Sequence, residues 1–263
     1  MNKRILISII ALVVPLIFDV GMAQQKPISE KNSTIDQPRM EKVSMGILHL
    51  YGPGGPLGPM EECGNAFSER TGTSIKITTG IPHQWIEQAK QKGELIFEGA
   101  EYMLNDFMRT YPGIVDESSI TGLFARSTSI LVRKGNPKNI RALSDLAKDG
   151  IRVLTVTQEK MEEVYGHIPG IQYNLVTSVL TGAMAARTWK TTPDLDAWIT
   201  YESWHYALKD QTERVQISDR ERVFRITPIA VIRTSKNMES VKEFVNFLKS
   251  DEAHKIFQKW GWK

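Results

Sequence analysis

Short apolar runs alternate with helical patterns along most of the chain, and the joints between them are built from Gly, Ser and Thr. That alternation limits the fold more than any other feature. Strands that return in one direction need a helix to carry the chain back. The first joint is the plainest case. Residues 46–51 read as a strand and 57–70 as a helix, with Met60, Cys63, Gly64 and Phe67 at helical spacing. Between them stands "GPGGP", and Thr71-Gly72 stops the helix. Further strands are predicted at 74–78, 94–97, 127–133, 151–156, 197–200 and 223–232. Helices are predicted at 82–92, 102–108, 140–147 and 182–189. Near the end, Ser240 and Glu243 have capping-box spacing before Val241, Phe244, Val245 and Leu248. A last helix carries Ala253, Ile256, Phe257 and Trp260. This order predicts a parallel α/β fold.

In such a fold, ligands sit beyond the carboxyl ends of strands and face helix N-termini. Gly54 and Gly55 let backbone approach a ligand closely. The helix behind them offers unpaired N–H groups and partial positive charge, a seat for an anion or carboxylate. A plain strand-to-helix turn is the other reading of the same residues. The spacing fits neither a Walker loop nor a dinucleotide fingerprint. The arrangement then recurs with Thr79-Gly80, Gly99-Ala100 and Thr181-Gly182, while Arg126, Ser127 and Thr128 stand at a further joint. These joints are expected to converge on one cleft.

The first 23 residues read as a secretory signal, with Lys3 and Arg4 ahead of an apolar stretch and a cut expected after Ala23. The stretch is too short to span a membrane and contains Pro15. Residues 24–44 are polar and aperiodic, a leader. The expectation is an exported, periplasmic or similarly placed soluble protein. Its single Cys63 allows no internal disulfide and reads as a buried apolar residue. A formal net charge of +3, without a Lys/Arg block, gives no footprint for nucleic acid. The five histidines form no metal-binding motif, and no serine nucleophile motif occurs. Glu98 and Glu101 are the only carboxylate pair considered for catalysis.

The runs "LYGPGGP…FSERTG", "LIFEGAEYMLNDF", "ILVRKGNP", "DLDAWITYESW" and "IFQKWGW" together resemble the accessory colonization factor (AcfC) proteins. These are similar to the ABC-type periplasmic solute-binding proteins, close to the molybdate binders. The resemblance covers most of residues 46–263. It implies a type 2 periplasmic binding fold. Two lobes, each a mixed, mostly parallel sheet flanked by helices, are joined by crossing strands and close on a ligand. It implies lobe one at 45–126 and 226–263 and lobe two at 127–225, with crossings near Arg126 and Phe224. It also implies a monomer that binds a small molecule, needs no cofactor, performs no catalysis, and works with an ABC permease or a chemoreceptor. A colonization or adhesion role through a host partner is the third class.

The departures fall on the ligand loops. The family's third-strand motif reads Phe-Ser-Gly-Ser-Glu-Tyr-Met, and here Glu98 and Ala100 replace the two serines. Leu180-Thr181-Gly182 replaces Asn-Ser-Gly, and "VTQEK" stands where a Gly-rich turn is expected. Glu98 has three readings: it points to solvent, it pairs with Arg126, or it faces a ligand bearing a positive or hydroxyl group. Arg126 is the expected charge partner of an oxyanion or carboxylate, with an ordinary surface arginine as the alternative. Tyr201 is expected either to reach the ligand from the second lobe or to pack in the core.

Overall fold

The structure is a computed structural model and describes residues 46–263. The signal and leader readings therefore lie outside the described residues. In chain order come β1 (Ile47–Gly52), α1 (Leu57–Thr71), β2 (Ser74–Thr79), α2 (Ile86–Lys92), β3 (Leu95–Phe97) and α3 (Glu101–Thr110). The long β4 (Thr121–Arg133) follows, then β5 (Val153–Val156), α4 (Glu162–Tyr165), β6 (Leu175–Val179) and α5 (Gly182–Thr191). Next are β7 (Ala197–Tyr201), α6 (Ser203–Ala207), β8 (Thr212–Val215), β9 (Phe224–Val231), α7 (Met238–Leu248) and α8 (Asp251–Lys259).

The strands form one path, β2-β1-β3-β9-β4-β7-β5-β6, with β8 paired to β4. β1 runs parallel to β2 and β3, and β5 parallel to β6 and β7. The sheet is mixed, as expected, with its antiparallel pairings at the centre. There β9 is antiparallel to β3 and β4, and β4 is antiparallel to β7 and β8. One strand carries the chain out of the first group of strands and its neighbour carries it back, so the two must oppose. β4 changes partners midway. Thr121 to Ser127 faces β9, and Thr128 to Val132 faces β7.

Side-chain alternation along these strands buries both faces. Leu48, Leu50, Leu95 and Phe97 pack under α1, α7 and α8, whereas Tyr51 and Ile96 pack under α2 and α3. In the other half, Ile130, Val132 and Ile199 meet Leu143, Leu146 and Val164. Leu131, Leu154 and Trp198 meet Trp189 and Trp204. Each such side chain, fully buried, contributes roughly 1.5–3 kcal/mol. Cys63 is fully buried, and burial pushes its thiol up to about 12, which makes it an inert apolar residue. Among the described residues, no helix is long and apolar enough to cross a membrane.

Several expectations shift. β4 begins at Thr121 rather than at residue 127, and the helix expected at 140–147 is only a 3-10 turn, Leu143–Ala147. The capping box at Ser240 is not formed. α7 starts at Met238 behind Asn237, which leaves Ser240 buried inside the helix. The true cap lies one helix later, where Ser250 Oγ accepts the Ala253 N–H at 3.3 Å. Ser250→Ala is therefore expected to lower stability by about 1 kcal/mol. Ser240→Ala is expected to cost nothing, because Ala outranks Ser inside a helix. Urea unfolding midpoints of the two variants check this; equal losses would restore the capping box.

Candidate functional site

The carboxyl ends of β1, β2, β3 and β5 and the N-termini of α1 and α5 meet at one cavity of about 670 Å³. Gly54, Gly55, Thr79, Gly80, Glu98, Gly99, Arg126, Thr181 and Gly182 all line it. Neither α1 nor α5 has an acidic residue in its first turn, so both leave their partial positive charge uncancelled. Thr181 Oγ1 accepts the Met184 N–H at 3.2 Å and fixes the start of α5. The two sides nearly touch: a Cβ at Gly54 would stand 3.3 Å from the Ala183 Cβ.

Arg126 forms the floor. It is 2 % exposed, and its guanidinium lies in a fixed cradle. Nε and Nη2 donate to the Gly99 carbonyl at 3.2 and 2.9 Å, and Nη1 donates to Ser203 Oγ at 3.1 Å. The Tyr201 ring lies 3.9 Å beneath the guanidinium carbon, and the Trp262 ring stands 5.5 Å away. Trp262 is held by an Nε1 bond to Thr227 Oγ1 at 2.8 Å, so the "KWGW" end is part of this cradle. Two neighbouring glycines stand close against the guanidinium, Gly99 too close for any side chain unless Arg126 moves. A Cβ at Gly99 would sit 2.5 Å from Arg126 Nη2, and one at Gly55 would sit 3.1 Å from Nη1.

Four expected site residues do not line the cavity. Tyr201 is fully buried beneath Arg126, and its hydroxyl lies 3.4 Å from that of Tyr102. Ala100 is fully buried and precedes α3, where its carbonyl accepts the Met103 N–H. Ser127 and Thr128 are turned into the sheet. The Ser127 carbonyl accepts the Glu202 N–H at 2.9 Å, and Thr128 Oγ1 accepts the Val223 N–H at 3.0 Å. The Ser127 carbonyl and the Thr128 hydroxyl are therefore taken by backbone N–H groups of the fold.

Glu98 neither points to solvent nor pairs with Arg126. It lines the cavity at 6 % exposure, and burial pushes its carboxyl up to about 8 against an opposing bond from the Gly99 N–H. Glu101 turns away, is exposed, and accepts the Ile226 N–H at 3.0 Å. The joint therefore separates the two carboxyls that a catalytic pair would need close together.

The main residues not anticipated come from "TQEK" after β5. Lys160 adopts the left-handed conformation, φ 48°, that a glycine would take at no cost. The loss of the expected Gly-rich turn was the signal. Glu159 is buried and accepts Thr200 Oγ1 at 2.6 Å and Trp204 Nε1 at 3.0 Å. Burial raises its pKa, opposed first by Arg126. Lys160 Nζ reaches Asp106 of α3 at 2.8 Å and, by that bond, lowers the Asp106 pKa. Tyr102 Oη donates to the Glu159 carbonyl at 2.8 Å. The cavity is thus bridged between α3 and the joint after β5. Trp204 lines it beneath Gly182, whereas Tyr206 packs against Gly261 instead.

Two strand groups around one cavity, crossed by an antiparallel strand pair, define a type 2 periplasmic binding protein fold. The chain belongs to the bacterial extracellular solute-binding protein family, whose model matches residues 48–263. Its cargo is accordingly a small molecule. Peb3 from Campylobacter jejuni is similar in structure, with TM-score 0.74 and 27% identity over 82% of this chain and 99% of Peb3. L-phospholactate-bound PEB3 gives TM-score 0.74 and 26% identity over the same shares, 82% and 99%. The periplasmic molybdate-binding protein of Azotobacter vinelandii shares the fold at TM-score 0.65 and 14% identity, over 82% of this chain and 98% of that one. No curated protein sequence matches the chain.

Gly99→Ala tests the cradle. The added methyl must displace either the guanidinium or the Met103 sulfur, 3.2 Å away. Overpacking of this kind is expected to cost about 1–3 kcal/mol in chemical unfolding. An unchanged midpoint would show that Arg126 is not held where it is described.

Proposed function

We propose that the protein captures a small oxyanion or carboxylate between its two lobes and releases it unchanged, for ABC transport or chemosensing outside the cytoplasm. Within its family we place it in the accessory colonization factor group, on the combined motifs that end in "KWGW". Arg126 carries the ligand reading. A guanidinium has five N–H donors, and three of the bonds it makes here go to Gly99 and Ser203. The other two N–H groups have no bond from the protein on the cavity side, and Arg126 forms no ion pair among the described residues. Glu159 acts on it electrostatically but without a bond, and a buried cation with no paired counterion is costly, a cost that a bound anion lowers. The uncancelled N-termini of α1 and α5 favour the same charge from both lobes.

Size adds to this. At about 670 Å³ the cavity has room for an organic body behind the anionic head, within the ~300–1,000 Å³ typical of small-molecule sites. PEB3, similar throughout the matched region, is described with L-phospholactate bound. Closure is supported by the contacts that span the cleft: Tyr102 to Glu159, Asp106 to Lys160, and Gly54 against Ala183. Contacts made only in the closed form are those that shift the equilibrium towards it. The outward turn of Glu101 argues against the carboxylate-pair enzyme.

A thermal-shift screen of sulfate, molybdate, organic phosphates, carboxylates, amino acids and neutral sugars tests the class. Anions alone are expected to raise the melting temperature with concentration. A shift produced only by neutral sugars would overturn the reading. For the anion with the largest shift, Arg126→Met is expected to weaken calorimetric binding about 100-fold, or roughly 3 kcal/mol. Circular dichroism of the variant serves as the folding control.

A further inference from the structure

We propose that Glu98 sets the specificity of this cleft as a neutral carboxylic acid whose O–H donates to the bound anion, so that capture requires Glu98 to keep its proton. The inference rests on the anion reading above and concerns the same site. It starts from placement. The Glu98 N–H is fixed to the Pro228 carbonyl at 2.9 Å, which pins the end of β3, and the side chain is 94 % buried by its 6 % exposure while lining the cavity. It stands next to Gly99, whose carbonyl holds Arg126. Glu98 and Arg126 line the same cavity, so one bound anion can face both.

Among the described residues no cation pairs with Glu98. Arg126 of β4 turns three of its N–H groups to Gly99 and Ser203 and forms no ion pair with it. Lys160, from the joint after β5, reaches Asp106 of α3 instead. Arg225 of β9 pairs with Glu163. Arg187 of α5 lies exposed on the rim and forms no ion pair with Glu98. The other acids make matters worse for a charged Glu98: Asp106 acts on it as a like charge, and Glu159 is already committed to Thr200 and Trp204. The only bond favouring the ionised form is the Gly99 N–H.

Burial thus wins and holds the proton up to about pH 8. An ionised Glu98 would repel an anion in a medium of low dielectric; a neutral one supplies a donor. The resulting ligand class is an anion with at least two acceptor oxygens, one for the Arg126 fork and one for the Glu98 O–H. The sign of the pH effect follows directly. Bound anion favours protonated Glu98, so affinity is full below the folded pKa and is lost as pH rises through about 8.

The test is calorimetric titration of the full mature chain with L-phospholactate and with sulfate, whose charge is constant over the range, at pH 7, 8 and 9. Wild-type affinity is expected to fall about tenfold between pH 7 and 9, with proton uptake visible as buffer-dependent enthalpy. Glu98→Gln and Glu98→Ser, two neutral donors, are expected to give flat profiles. A second reading needs no ligand: between pH 5 and 9 the wild type should lose thermal stability relative to Glu98→Gln, because burial of the ionised acid is penalised only in the folded state. Flat wild-type binding between pH 7 and 9 removes the role of Glu98 and leaves the anion reading standing. No binding of either probe at any pH removes the anion reading, and the donor role with it. A wild type whose stability tracks that of Glu98→Gln across the range shows that the acid is already ionised and overturns the proposal by itself.

Discussion

One buried cation organises the centre of this protein. The Arg126 guanidinium lies where β4 changes partners, between the strand group of β1 to β3 and that of β5 to β7. Its bonds reach a carbonyl on one side, Gly99, and a hydroxyl on the other, Ser203. Aromatic faces of Tyr201 and Trp262 shield it from water. An arginine so placed is tolerated only if its donors are satisfied and its charge has an answer. The protein satisfies part of the donor set, and the remainder faces the cleft. The same group therefore joins the two strand groups and defines the chemistry of the space between them.

The acids nearby are held by other partners, and among the described residues none forms an ion pair with this cation. Asp106 is taken by Lys160 across the mouth, and Glu159 by Thr200 and Trp204. Glu101 is turned to the backbone of β9. The exposed Asp106–Lys160 pair adds little stability by itself, about 0–1 kcal/mol, so its importance lies in where it holds α3. Four acids around one cleft would ordinarily suggest a structural ion-pair cluster. Here three have other partners, burial holds the Glu98 carboxyl above the usual carboxylate range, and Arg126 is left on the cavity floor.

Much of the architecture could be read from local pattern. The joints at Gly54-Gly55, Thr79-Gly80, Gly99 and Thr181-Gly182 do converge, because strand ends that feed helices in one sense put their corners on one side of the sheet. The central antiparallel pair was hidden. The first half of β4, Thr121 to Ala125, shows no clear period, so its strand character depends on β9 beside it. The short β6 and β8 owe their form to their neighbours in the same way. Ser240 had the spacing of a cap but not the position, since the helix begins earlier, at Met238 behind Asn237.

By itself, the sequence determined the alternation of strands and helices, the small residues at the corners, and one arginine at the crossing. Those follow from backbone sterics and side-chain periodicity, which act over a few residues. Only the tertiary structure decided that Tyr201 supports Arg126 rather than facing the cleft. The same holds for Ser127 and Thr128, turned into the sheet, and for Glu98, inside while Glu101 is outside. Those outcomes depend on what each side chain meets across the fold. Burial and partner charges are properties of residues distant in the chain, and no local pattern carries them.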